Sequence, residues 1–106
     1  MKLTLDVENT VTKRDGKMHL DPFEPDNSLT MVGVLTDQGM EQHFPFDHAD
    51  VPNQKDYHER VQQYLDDATV LICHNAAHDL LWIWESGFKY DGPVFDTMLA
   101  EYVLQR

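Results

Sequence analysis

Two acidic residues near the start of the chain, Asp6 and Glu8, have a spacing suited to metal chemistry. They alternate with apolar residues over positions 3–8, which predicts a β-strand with both carboxylates on one face. Two carboxylates so close repel each other unless a cation lies between them. Mg²⁺ prefers oxygen ligands and keeps coordination positions for water and phosphate. The pair therefore indicates a divalent-cation site, the alternative being a solvated face of the strand.

A third carboxylate, Asp79, ends a His-Asn-Ala-Ala-His-Asp segment. The segment joins a short apolar run at 68–73, typical of a buried strand, to a helix that Asn75 can cap. Asp79 is then placed in the first helical turn, where the backbone dipole stabilises an anion. A carboxylate there can face the pair formed by Asp6 and Glu8, or it can simply balance the helix dipole.

The elements that position these carboxylates are predicted from periodicity and turn signals. Strands are predicted at residues 3–8, 29–35, 40–46 and 68–73, with a short strand at 94–95. The polar stretch 12–28 is predicted to be a loop with a turn at Asp15-Gly16. This order predicts an α/β fold with a mixed sheet flanked by helices, in which three antiparallel strands precede a parallel one.

Three helices are predicted from capping residues and apolar faces. They begin at Asn53, at Asn75 and at Asp96 or Thr97, and the second ends near Ser86 with Gly87 just beyond it. The apolar faces of the first and third helices comprise Tyr57, Val61, Tyr64 and Leu65, and Met98, Leu99, Tyr102 and Val103. Trp82 and Trp84 project about 200° apart on the second helix, so only one of them can enter the core.

The composition predicts one small domain spanning residues 1–106. No apolar stretch approaches the ~20 residues of a membrane span, and Asp6 comes too early for a signal peptide. A cytoplasmic protein without a membrane partner is therefore expected. Cys73 is the only cysteine, which excludes an intrachain disulfide and predicts a buried packing role. The last helix reaches Arg106 without a stop signal, so we expect the domain to be incomplete at its C-terminus.

The charge is strongly acidic, with 8 Lys and Arg against 19 Asp and Glu and a net charge of −11. Such a chain repels phosphate overall. Either its acids surround a cation that bridges to phosphate, or it does not bind nucleic acid. Lys13, Arg14 and Lys17 could contact phosphates, although a solvated loop is the favoured interpretation. His74 and His78 have the i, i+4 spacing of zinc ligands, but His74 precedes the predicted cap, which disfavours zinc.

Taken together, the ordered motifs resemble a known enzyme superfamily. Asp-x-Glu on the first strand, followed by His-Asn-x-x-x-Asp at 74–79, resembles the first two motifs of the DEDD superfamily of 3′–5′ exonucleases. Residues 95–104 resemble the helix that follows in the proofreading domains of family A DNA polymerases. Residues 5–10, 21–23 and 25–29 are similar to bacteriophage members. The resemblance covers nearly the whole chain.

The resemblance implies an RNase H-like fold and a site for two divalent ions, Mg²⁺ or Mn²⁺. The implied catalytic metal ligands are Asp6, Glu8 and Asp79. The residues implied to hold the 3′-terminal nucleotide are Leu5, Asn9, Thr10 and Asn75. Asp96 belongs to the helix signature and is not an implied ligand.

The implied activity is hydrolysis of phosphodiesters at single-stranded DNA 3′ ends, proofreading for a polymerase domain downstream in a phage-encoded protein of the host cytoplasm. Alternatives are an RNA-trimming exonuclease, and a degenerate nuclease-like domain that binds proteins. Two departures from the family are notable. His78 stands where the family has Phe or Tyr, and the third motif, with the fourth carboxylate, would lie beyond Arg106. The isolated chain is therefore expected to be inactive or weakly active.

Overall fold

The computed structural model describes residues 1–46 and 54–104, with side chains described as far as residue 100. The strands are β1 (Lys2–Asn9), β2 (Thr12–Arg14), β3 (Lys17–His19), β4 (Leu29–Thr36), β5 (Glu41–Pro45), β6 (Val70–Cys73) and β7 (Val94–Asp96). The helices are α1 (Gln54–Asp67), α2 (Ala76–Glu85) and α3 (Thr97–Leu104). The strands of the main sheet begin and end within two residues of the bounds predicted from the sequence. The helices begin within one residue of their predicted starts.

A five-stranded sheet in the order β5-β4-β1-β6-β7 forms the centre of the fold. β1 is its middle strand and pairs antiparallel with β4 and parallel with β6. β5 extends the antiparallel side and β7 the parallel side. The predicted α/β class with a mixed sheet flanked by helices is therefore confirmed.

The core lies on one side of β1, where Leu3, Leu5 and Val7 are buried. They belong to one apolar cluster with residues of α1 and α2, among them Val61, Leu65, Trp82 and Ile83. Thr4, Asp6 and Glu8 alternate with the buried residues and are exposed. The period of two along β1 thus separates the core from the carboxylates, as the sequence predicted.

Helix boundaries depend on the polar residues that the sequence indicated. Asn75 is the N-cap of α2 and its side chain accepts a hydrogen bond from the backbone N–H of His78. Gly87 follows the helix with a φ of +89°, a conformation that favours glycine. Asp96 Oδ1 accepts from the backbone N–H of Met98 at 2.9 Å, which makes Asp96 the cap of α3. The predicted cap Asn53 lies outside the described residues.

The polar stretch 12–28 contains a β-hairpin, so the prediction of a loop there was wrong. β2 and β3 pair antiparallel, and Lys13 faces Met18. Asp15 and Gly16 both have positive φ, which is the conformation of a tight two-residue hairpin turn. The turn was predicted, but the flanking strands bury little apolar surface and therefore carry no hydrophobic alternation.

The described part of the apolar face predicted for the third helix is exposed. Met98 is 44% exposed and Leu99 is 60% exposed. Tyr102 and Val103 have side chains outside the described set. Among the described residues, no helix has both the length and the apolar character needed to cross a membrane.

Candidate carboxylate site

The three predicted carboxylates lie on two neighbouring elements. Asp6 and Glu8 project from the solvent-facing side of β1, and Asp79 lies in the first turn of α2, which packs against β1. Asp79 is only 5% exposed, whereas Asp6 and Glu8 are exposed. Asp79 is therefore a buried acid at the edge of an acidic surface.

The ionisation of Asp79 is governed mainly by burial. Loss of solvent raises the pKa of Asp79 above its usual 3.8, and the negative charges of Asp6 and Asp96 raise it further. A hydrogen bond and the charge of His78 act in the opposite direction without cancelling the rise. The charges of Asp6 and Asp96 thus oppose the ionisation of the buried Asp79, a condition that a bound cation relieves.

The pKa of Cys73, at the end of β6, is affected by the same negative charges. The thiol is 1% exposed, as its predicted packing role requires. Burial, followed by the charges of Asp79, Asp96 and Asp6, raises the pKa of Cys73 to about 12. Since the thiolate is the reactive form, this thiol should be inert in the folded chain.

Cys73 is accordingly expected to react very slowly with a thiol reagent such as 5,5′-dithiobis(2-nitrobenzoate) at pH 8. The same chain in concentrated urea should react at the rate of an ordinary free thiol, which provides the control. Rapid, stoichiometric reaction of the folded chain, followed by absorbance, would contradict the burial of Cys73 beneath the carboxylates.

The raised pKa of Asp79 predicts a pH-dependent cost in stability. Between the unfolded and the folded pKa the folded chain binds more protons, so stability falls as pH rises through this window. Asp79→Asn removes the cost and retains a side chain that can form a hydrogen bond with Nδ1 of His78. In EDTA the variant should be more stable than wild type at pH 7, with the advantage shrinking as pH falls towards 3.8. Urea unfolding at pH 7 and pH 4 measures this difference, and a less stable variant at pH 7 would refute it.

The predicted nucleotide-binding residues occupy three different environments. Leu5 is 2% exposed on the core side of β1, so only its backbone can face a ligand at Asp6. Thr10 is exposed, and its hydroxyl accepts from the backbone N–H of Ser28 at 2.8 Å. Asn75 caps α2 and is exposed. Asn9 lies at the end of β1 and is partly buried beside His78.

His78 contacts both the carboxylate site and β1, a role that the sequence did not indicate. Its Nδ1 lies 3.1 Å from Asp79 Oδ1 and its Nε2 lies 2.9 Å from Asn9 Oδ1. His74 instead contacts the hydroxyl of Thr97 at 2.9 Å. The two histidines thus have different partners.

Asp96 connects two helix beginnings next to the site. Its Oδ2 accepts from the backbone N–H of Ala76 in α2, and its Oδ1 accepts from Met98 in α3. These backbone hydrogen bonds lower the pKa of Asp96. Both oxygens are thereby engaged by backbone N–H groups, which suits a structural carboxylate.

The basic residues near the site are not equally available. Arg14 forms ion pairs with Glu24 and Asp26, and these partners raise its pKa. Lys13 and Lys17 are exposed on the hairpin. Arg14 is therefore neutralised by its own loop, which agrees with the interpretation favoured from the sequence.

A shallow groove of about 210 Å³ runs across the exposed sheet face beside Asp6. It is lined by Thr4, Asp6, Gly33, Val34, Leu35, Glu41 and His43. Gly33 pairs with Asp6 on one side and with His43 on the other. A Cβ at Gly33 would lie 3.3 Å from His43 Nδ1, so the missing side chain keeps the floor of the groove open.

The donor chemistry of the site fits a divalent cation only in part. Asp6 and Asp79 supply hard oxygen ligands of like charge, which Mg²⁺ and Mn²⁺ prefer. Within residues 1–46 and 54–104, however, no three His, Cys, Asp or Glu side chains are grouped closely enough to hold a metal ion. Asp6 and Asp79 form the best supported pair, and Glu8 lies on the same strand face as Asp6.

No model of a known protein family matches the chain, and no curated protein matches it significantly. The chemistry of the site therefore rests on its own residues and their geometry.

Proposed function

We propose that this chain is a 3′–5′ exonuclease domain that hydrolyses phosphodiesters at DNA 3′ ends with two divalent ions and proofreads for a DNA polymerase. The observation that carries the proposal is the buried Asp79, whose ionisation is opposed by burial and by Asp6. A protein that keeps like charges together at a cost in stability commonly does so for function. The motif resemblance agrees with this placement.

An RNase H-like fold is part of the same proposal. Its support is the mixed sheet, in which the antiparallel strands β1, β4 and β5 are followed by the parallel strand β6. The carboxylates lie on the central strand and on the helix that follows β6, the two places that the resemblance implies.

Each residue has a role in this proposal. Asp6, Glu8 and Asp79 supply the oxygen ligands, with Asp6 and Glu8 on one face of β1 and Asp79 in the first turn of α2. Asn9 and Thr10 follow Glu8 at the end of β1. Their polar side chains are the groups proposed to hold the terminal nucleotide. When bound, the metal ions supply a nucleophilic water near neutral pH and stabilise the charge of the departing 3′ oxygen.

A second candidate function is a nuclease-like domain that binds another protein and has lost catalysis. It is favoured by the absence of a three-ligand group among the described residues. Exposed apolar side chains such as Phe95, at 52%, and Leu99, at 60%, also suit a binding surface. In this case divalent ions should have no specific effect on the chain.

The experiment that tests the proposal is a nuclease assay on a 3′-labelled single strand with Mn²⁺, using DNA and RNA of the same sequence. The proposal expects Mn²⁺-dependent release of labelled mononucleotide, weak for this chain because three carboxylates are matched and the fourth is not. Asp6→Ala should abolish even the weak release. Release that persists in Asp6→Ala would assign the activity to a contaminant or to another site.

A further inference from the structure

A second cavity lies where the end of α1 meets the segment that follows α2. It has a volume of about 400 Å³ and lies open to solvent. Its lining combines aromatic rings with two carboxylates, and comprises Asp66, Trp84, Phe88, Lys89, Tyr90 and Asp91. Trp84 belongs to the C-terminal end of α2, whereas Asp79 belongs to its first turn. This aromatic cavity is therefore separate from the carboxylate site.

Hydrogen bonds fix the walls of the aromatic cavity relative to each other. Gln62 in α1 donates from Nε2 to Asp66 Oδ1 at 2.8 Å and to the backbone carbonyl of Lys89 at 2.9 Å. Its Oε1 accepts from the backbone N–H of Lys89, also at 2.9 Å. One amide side chain thus joins α1, the carboxylate of Asp66 and the segment after α2 in a fixed arrangement.

The indole ring of Trp84 is also held in place. Trp84 is 50% exposed, although its Nε1–H donates to the Tyr90 carbonyl at 3.0 Å. Tyr90 Oη donates in turn to the Pro93 carbonyl at 2.7 Å. The Tyr90 ring lies against Gly92, where a Cβ would lie only 2.8 Å from Oη, so the missing side chain gives the ring its place. The cavity therefore presents a flat aromatic surface that is fixed but not covered.

The two carboxylates of the aromatic cavity are available to a ligand. Asp66 and Asp91 are both exposed, and among the side chains that the structure describes neither forms an ion pair. Lys89 lines the cavity without pairing with either acid. Two acids against one lysine leave the cavity negatively charged, within a chain whose net charge is −11.

A fixed aromatic plane beside free carboxylates suits a flat organic cation. Cations are attracted to the face of an indole ring. A guanidinium group is planar, so it can stack on that face while its N–H groups donate to carboxylates, whereas an ammonium group is a compact and strongly hydrated charge. A nucleic-acid base can also stack on an indole ring, but the acids would repel its phosphates.

We propose that the aromatic cavity binds the guanidinium group of an arginine side chain of a partner protein. Trp84 provides the stacking surface, and Asp66 and Asp91 accept hydrogen bonds from the guanidinium group. A second copy of this chain is disfavoured as the partner, because two chains of net charge −11 repel each other. The same charge favours a partner with a basic surface. The proposal does not depend on the proposed nuclease chemistry.

The test compares the Nα-acetyl amides of arginine, lysine and citrulline, the last being the uncharged analogue of arginine. Each is titrated into the ¹⁵N-labelled chain in EDTA at low salt. Binding is followed through the indole N–H signal of Trp84 and the amide signals of residues 89–91, with the buried Trp82 as internal control. We expect saturable binding of the arginine amide, weaker binding of the lysine amide and none of the citrulline amide.

Two of the possible results with these probes would overturn the proposal. Equal affinities for the arginine and citrulline amides would mean that charge plays no part. Equal affinities for the arginine and lysine amides would mean that the guanidinium plane is not recognised. Tighter binding of trithymidylate than of the arginine amide would assign the cavity to a nucleic-acid strand and would also overturn the proposal.

Substitutions separate the cavity from the general acidity of the chain. Trp84→Ala should weaken binding of the arginine amide about fivefold or more. Asp66→Asn should weaken it about threefold. Asp67→Asn makes the same change in charge one residue away, on the lining of a different cavity, and should leave the affinity nearly unchanged. Lys89→Met should tighten binding, since it removes a like charge from the cavity.

The variants also provide results that would contradict the proposal. Equal losses in Asp66→Asn and Asp67→Asn would mean that only net charge attracts the probe. Weaker binding in Lys89→Met would mean that the cavity prefers an anion. Urea unfolding shows whether each variant is folded. If Trp84→Ala does not fold, the comparison of Asp66→Asn with Asp67→Asn decides.

Discussion

Asp6→Asn is expected to abolish the stabilisation of this chain by Mn²⁺. A ligand that binds only the folded chain stabilises it by RT ln(1 + [L]/Kd), or about 2.7 kcal/mol at a concentration of 100 Kd. Asp6 is the one of the two proposed strand ligands whose charge opposes ionisation of the buried Asp79. Without it, the remaining ligands should retain little affinity. Thermal unfolding of both chains across a Mn²⁺ titration measures the effect.

The stability of the Asp6→Asn variant without metal provides an independent check. Because the charge of Asp6 opposes ionisation of Asp79, its removal should leave the metal-free chain as stable as wild type or slightly more stable. A variant that loses both Mn²⁺ response and basal stability would point to general damage to the fold.

Asp67→Asn is the matched control, because it makes the same change in charge elsewhere on the acidic surface. Asp67 is exposed at the end of α1, three residues before Val70. Val70 pairs with Lys2 at the start of β1, four residues before Asp6. At about 3.3 Å per strand residue, Asp67 lies well away from the site. Asp67→Asn should keep the full Mn²⁺ response, and an equal loss in both variants would mean that Mn²⁺ binds only through net charge.

Trp82→Ala is expected to be among the most destabilising single substitutions in the chain. Trp82 is 3% exposed within the main core, and its indole N–H donates to the Leu20 carbonyl at 2.9 Å. Truncation of a buried Trp typically costs about 3–5 kcal/mol, because a large cavity remains. Since small domains are stable by about 5–15 kcal/mol, this loss could unfold a large fraction of the protein.

Trp84 provides the comparison two positions along the same helix. It is 50% exposed, although its indole N–H also donates to a carbonyl, that of Tyr90, at 3.0 Å. Trp84→Ala should therefore cost about 1 kcal/mol, the usual value of one hydrogen bond and partial burial. Urea unfolding of both variants measures the contrast. Similar losses would mean that α2 presents a different face to the core.

The sheet and its carboxylates could be predicted because short-range patterns determine them. The alternation along β1 places Leu5 and Asp6 on opposite sides, and the structure agrees. Likewise, the cap at Asn75 requires only the next three residues, and the left-handed conformation at Gly87 requires only a glycine after a helix. Each of these features is decided by neighbours in the sequence, where periodicity and backbone preference apply.

The β2–β3 hairpin shows where such patterns fail. No residue of β2 or β3 is buried, and Met18 in β3 is 55% exposed, so neither strand has a buried face that would impose an alternating pattern. The hairpin is instead held by polar contacts, including Thr12 Oγ1 to Asn27 Oδ1 at 2.6 Å. The Asp15-Gly16 turn was the one short-range signal of the hairpin, and it is consistent with two short flanking strands.

The role of His78 could not be read from the sequence because it depends on a residue far along the chain. Its partner Asn9 is 69 positions away, and the direction of the Asn9 amide depends in turn on Leu20. Asp96 is similar, since it caps α3 locally but also accepts from Ala76, 20 positions earlier. Contacts between distant elements can be predicted only when the strand order and the helix packing are known.

The most direct test of a shared cation site at Asp6, Glu8 and Asp79 is paramagnetic broadening by Mn²⁺ in the amide spectrum of the ¹⁵N-labelled chain. With less than one equivalent of Mn²⁺, the signals of residues 5–9 and 76–80 should broaden first and together, and Asp6→Asn should remove this broadening. Uniform broadening, or broadening centred on Asp66 and Asp67 at the end of α1, would contradict the site and with it the proposed nuclease chemistry.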